Sequence, residues 1–285
     1  MEVSSLKTKL SKLSVNKKYF VVSIKLFIGF GLLWFIISKI DPTEIISSIR
    51  NANIFFLAAA FSLVVLNLFI QYKKWHLTCV NILGEHDKKK ALHSLFFGIA
   101  GGSFTPIRAG EYFGRAIEYK DKSFIQVSVA TLIDKLFLLI ILTFAGSVAS
   151  ILFIKIYYNV TIYISLALFA VIFVLFYLLV MLLLSKKFWN YLSFDFFKLS
   201  KRLGPFFERL TIITELDRQY SAKMIILSLL LYSCYTFQFA LLVAGFSNHY
   251  RLLHYLWAGN LVMFAKTVIP SISFAEMGIN AHFCK

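Results

Sequence analysis

The chain has 285 residues, 59% of them hydrophobic, with 31 Phe and a formal charge of +16 from 30 Lys and Arg against 14 Asp and Glu. A soluble domain is about 45–50% apolar, so long apolar runs must carry the excess, and the chain is read as an integral membrane protein. That excludes the soluble nucleic-acid binder such a charge would otherwise suggest; short basic loops that hold orientation and meet anionic lipid account for the cations instead.

Residues 1–18 form a basic arm in which Leu6, Leu10 and Leu13 recur at helical spacing, suited to lie on anionic headgroups. Residues 19–285 then read as a single transmembrane domain. The run 19–38 is longer than the apolar core of a signal peptide, roughly 7–15 residues, and no small-x-small cleavage site follows, so it predicts an uncleaved first span. Asp41-Pro42 breaks that helix, and proline suits the first turn of the next, a short interfacial helix over 43–51. A second span over 54–72 closes on Lys73-Lys74-Trp75-His76, read as a basic and aromatic interface anchor.

After a turn at 84–93, the apolar run 92–104 is too short to span at about 1.5 Å per residue. It enters Gly101, Gly102 and Pro106, the pattern of a re-entrant segment. A third span over 127–154 contains Asp134-Lys135, and a fourth covers 161–184. Residues 185–223 read as a basic amphipathic insert divided at Gly204-Pro205. A fifth span covers 224–246, and a sixth apolar run over 253–269 breaks at Pro270. The expected architecture is an all-α polytopic helix bundle of about six spans with two broken helices. With the N-terminus in the cytosol, the outer side keeps only Lys39, Arg50, Lys155 and Arg251 among loop cations, as the positive-inside rule asks.

Two stretches carry charge at the breaks. Arg108, Glu111, Arg115 and Glu118 are spaced to share one helix face. The bland reading is a salt-bridged stripe at the interface. The sharper one uses the preceding Gly-Gly-Ser-x-Thr-Pro and Gly110: a helix start at membrane depth offers amides to an anion, Arg108 and Arg115 grip a phosphate, and Glu111 orients them. Near the C-terminus, Pro270, Glu276 and Gly278 echo Pro106, Glu111 and Gly114. Paired breaks of this kind point to a midplane site and an inverted repeat.

Asp134 within a span is expected to face a cavity or partner. Its bland reading pairs it with Lys122 or with Lys135, the latter snorkelling to the interface. Lys266, a turn before Pro270, is read as a headgroup contact. The histidines and the three cysteines show no ligand spacing, and no soluble-type catalytic motif is present. No metal and no cofactor are expected.

The segment from Thr105 to Glu111 with Arg115, Asp134 in the following span, and Ile269-Pro270 through Ala275-Glu276-Met277-Gly278-Ile279 resemble the lysylphosphatidylglycerol synthase transmembrane-region family. That family includes the lipid-flipping half of multiple peptide resistance factor proteins. The resemblance implies a multi-pass protein of the bacterial cytoplasmic membrane whose re-entrant helices line a cavity for phospholipid headgroups. It departs from the family at Asn280 and Ala281, where relatives carry an arginine and an acid. It also ends at Lys285 where relatives continue, so a truncated member is one expectation. No aminoacyltransferase domain is visible, and lipid synthesis is not expected.

The expected function is translocation of an aminoacylated or other anionic phospholipid. Arg108, Arg115 and Lys266 would meet the phosphate; Glu111, Asp134 and Glu276 would meet an amine or hydroxyl. A membrane component of lipid-linked glycosyl or aminoacyl transfer, with Glu111 or Asp134 as base, stays open, as does a non-catalytic scaffold. Partners are membrane phospholipids, with polyprenyl-phosphate lipids and a second copy of the chain left open.

Overall fold

A computed structural model describes residues 42–105, 108–184, 216–247 and 251–268. The expected first span, the basic arm, the insert over 185–215, and Pro106, Pro270, Glu276 and Gly278 lie outside the described residues. Helix α1 (Pro42–Arg50) opens on proline as the sequence predicts and belongs to a first unit of the chain. All other described helices belong to a second unit, Ala52–Ser273.

Three helices of the second unit start where a side chain takes up the free amides of a first turn. Asn53 caps α2 (Ile54–Thr78) by accepting from the Phe55 amide. Asp87 caps α3 (Lys88–Phe104) through the Lys89 and Lys90 amides. After α4 (Gly110–Ile117), Ser123 and Gln126 form a reciprocal capping box at the start of α5 (Phe124–Tyr157). Then come α6 (Ile162–Leu184), α7 (Arg218–Ser247) and α8 (Leu252–Val268). Among the described residues there is no strand, and the all-α architecture holds.

Helix α2 runs through a wider turn, Cys79–Leu83, before stopping at Gly84, whose φ of +65° is the left-handed conformation favoured at helix ends. It pairs antiparallel with α7: the Asn53 amide meets the Gly245 carbonyl at one end, and Thr78 meets the Tyr220 hydroxyl at the other. Helix α8 returns against α7 and α5, with Trp257 Nε1 donating to the Ala149 carbonyl at 3.1 Å. The buried core gathers Trp75, Cys79, Leu95, Tyr119, Val127 and Ala130.

Helices α3 and α4 form a hairpin, as expected of a broken apolar segment. The backbones touch: a Cβ on Gly101 or Gly110 would collide with the carbonyl of the other, and one on Gly114 with the Phe97 carbonyl. Such proximity is open only to glycine.

The outward surface is apolar. Helix α4 buries Gly110, Glu111, Gly114 and Arg115 and exposes Phe113 (62%) and Ile117 (59%), the inverse of a helix surrounded by water. Four of the described helices, Ile54–Leu83, Phe124–Tyr157, Ile162–Met181 and Arg218–Ser247, are long and apolar enough to cross a membrane. The chain is membrane-embedded.

Candidate functional site

The inverted polarity of α4 has a local cause. Its charges at i and i+4 share one face, and the glycine face of α3 lets that side approach closely. Gly98 is the clearest case, since any side chain there would occupy the space of the Arg115 stem. Lipid can accept the opposite, aromatic side but not a charge.

Turned inward, Arg115 donates from Nη2 to Glu111 Oε1 at 2.9 Å and from Nη1 to Asp134 Oδ2 of α5 at 2.9 Å. Its guanidinium carbon lies 4.1 Å from the centre of the Trp75 ring, a stacked cation on the best aromatic partner. Glu111 also accepts from Lys135 Nζ at 2.6 Å and faces Arg108 Nε at 3.5 Å. Lys74 of α2 donates to the Asp134 backbone carbonyl at 3.0 Å and stands 3.8 Å from its carboxylate.

The six side chains form one connected network. Arg115 and Lys74 are each 3% exposed. Arg108 and Lys135 stand at the rim, with side chains 54% and 32% exposed. Four formal cations face two carboxylates, which leaves an excess of two positive charges. Burying ions is tolerable only with close partners, and even so Arg115 Nε and Asp134 Oδ1 have no hydrogen-bond partner.

The network borders a cavity of about 400 Å³, which Leu136, Leu139 and Leu142 of α5 complete as an apolar wall. A cation-rich floor and a leucine wall together suit an amphiphile with an anionic head. A larger groove of about 660 Å³ runs between α2 and α7, but its lining is apolar except for Ser62, Ser233 and Lys73 at its margin. It offers no comparable charge chemistry.

Of the residues singled out in the sequence, Arg108, Glu111, Arg115 and Asp134 come together. Glu118 does not join them; it faces His93 Nδ1 at 3.6 Å. Lys266 lies on α8 outside the cavity lining, while its neighbour Thr267 contributes to it. Glu276 and the rest of the second broken segment lie outside the described residues.

Three expectations are corrected. Lys74 and Trp75 are not an interface anchor: both are buried, because Lys74 faces Asp134 of α5 and Trp75 faces Arg115 of α4. Asp134 pairs with Arg115 and Lys74 rather than with Lys122 or Lys135; Lys122 faces Asp121 and Lys135 goes to Glu111. The start of α4 is not an open row of amides either. The Gly110 amide donates to Thr105 Oγ1 at 2.6 Å and the Tyr112 amide to the Ala109 carbonyl.

Arg108 precedes the helix with a left-handed backbone, φ 53°, uncommon for a residue with a side chain. The signal that could have exposed Lys74 is the polar series Asn67, Gln71, Lys74 on one face of an otherwise apolar span.

A search of curated proteins and a search of solved structures each found no match. A family profile does match, over residues 22–280. That range takes in α1 to α8 and every charge of the network, and the chain therefore belongs to the family described as the lysylphosphatidylglycerol synthase TM region.

Proposed function

We infer that the protein translocates a phospholipid between leaflets, anionic or aminoacylated, in a bacterial cytoplasmic membrane with the N-terminus in the cytosol. The observation that carries the reading is the buried network with four cations for two carboxylates beside a leucine-walled cavity. A lipid phosphate would take up the excess charge, with Arg108 and Lys135 reaching it first from the rim. Glu111 and Asp134 hold the cations in place and offer oxygens to an amine on the headgroup. Unit charges about 4 Å apart attract by roughly 4 kcal/mol near a protein surface; anionic and zwitterionic heads share the phosphate, so a preference for the anionic head comes from its lack of an ammonium that the surplus cations would repel. Family membership supports a role in lipid handling.

Acid–base catalysis on a lipid-linked sugar is less favoured, because Glu111 and Asp134 are both engaged by cations. Neither stands free as a base. Reconstitution in vesicles with a fluorescent phosphatidylglycerol tests the proposal. Wild type should exchange the lipid between leaflets well above protein-free vesicles, and Arg108→Ala should slow it; equal exchange by both proteins would sink the reading.

A further inference from the structure

The charged network is the lower end of a longer polar seam. On α2, Lys74, Gln71 and Asn67 lie on successive turns of one face. Gln71 Nε2 donates to Asn67 Oδ1 at 2.5 Å, and Asn67 is buried. Tyr235 of α7 lines the same cavity as Gln71 and Arg108.

Thr267 of α8 also lines that cavity. Two turns nearer the start of α8, Asn260 reaches the Ala145 carbonyl at 3.4 Å, while its Oδ1 is buried without a partner. Helix α5 is the ruler for the seam. Ala145 lies about 16 Å beyond Asp134 at 1.5 Å per residue, more than half of a hydrocarbon core of about 30 Å.

We propose that Asn67, Gln71, Tyr235 and Asn260 form the track by which the lipid headgroup leaves the charged network and passes the bilayer midplane. This rests on the translocase reading. A cation at the midplane would hold a phosphate too firmly, and a leucine would leave it without a partner. Conduction through a series of sites needs binding strong enough to enter and weak enough to leave. Side-chain amides and a phenol supply that middle strength, donating to phosphate oxygens and accepting from hydroxyls or an amine. The unpartnered Asn260 Oδ1 is an acceptor that a headgroup donor would satisfy. The competing role for these residues is interhelical hydrogen bonding alone.

Asn67→Leu and Asn260→Leu, each reconstituted with fluorescent phosphatidylglycerol, separate the two roles. Leaflet exchange should fall about tenfold or more, while phosphatidylglycerol retained by the purified protein stays within about twofold of wild type, since the cations are untouched. Asn67→Gln should restore much of the exchange. The proposal is overturned if Asn67→Leu and Asn260→Leu exchange lipid at the wild-type rate. A parallel fall of exchange, lipid retention and melting temperature also overturns it, because that marks a merely structural bond. Absence of exchange by wild type removes the translocase reading itself, and the track with it.

Discussion

Arg115 is bonded to Asp134 at 2.9 Å across two helices, and its other terminal nitrogen holds Glu111. One guanidinium thereby fastens the α3–α4 hairpin to α5, and Arg115→Ala takes from each of two buried carboxylates one of its cationic partners. Removing one partner of a buried pair costs about 3–5 kcal/mol, a loss that thermal unfolding in detergent should register. Arg115→Ala combined with Asp134→Ala should cost less than the two single losses added, because contacting residues couple.

The two adjacent lysines of α2 should behave oppositely. Lys74→Met deprives the Asp134 carboxylate and carbonyl of a buried partner, for which about 1–3 kcal/mol is expected. Lys73 is exposed above the Phe69 ring at 5.3 Å, and Lys73→Met should stay within about 0.5 kcal/mol of wild type. Unfolding of the two variants side by side checks the contrast.

Gly114→Ala and Gly84→Ala probe two different demands on glycine. A Cβ at Gly114 strikes the Phe97 backbone carbonyl, so the hairpin must open, at about 1–3 kcal/mol as for an overpacked core. At Gly84 nothing lies within 4 Å, and only the left-handed backbone objects, at roughly 1–2 kcal/mol. Lipid exchange should suffer in Gly114→Ala and survive in Gly84→Ala.

The start of α3 should depend on pH. The Lys89 and Lys90 amides hold the Asp87 carboxyl below its usual range, and the Asp87 amide and then the Lys90 ammonium do the same for Glu85. A depressed carboxyl stabilises the fold above its ordinary value, near pH 4, and loses that contribution as the pH falls through the folded value. Hydrogen exchange at the Lys89 and Lys90 amides should accelerate, relative to interior α3 amides, as the pH drops below about 4. Asp87→Asn should flatten that dependence.

The helices were legible because apolar runs and Pro42 mark them through local chemistry, while the caps Asp87 and Ser123 came only with the structure. The hairpin was legible too, since a short apolar run meeting Gly101 and Gly102 cannot cross a bilayer. Arg108, Glu111, Arg115 and Asp134 stood out as charges where lipid should be. What local pattern could not show was pairing. Lys73 and Lys74 look alike in sequence, and only the packing of α2 on α5 decides which one turns inward. Lys135 looked like a residue snorkelling to water, yet Glu111 from another helix lies within 2.6 Å of it. The seam through Asn67 and Asn260 depends likewise on helix contacts far apart in the chain.

The most direct test of the charge excess compares retention of phosphatidylglycerol with retention of phosphatidylcholine by purified protein. The double variant Arg108→Ala, Lys135→Ala removes the two rim cations and leaves two buried cations facing two carboxylates. Wild type should prefer the anionic lipid by about tenfold, roughly 1.4 kcal/mol, and the double variant should show almost no preference while still folded. An undiminished preference in the double variant would contradict the account.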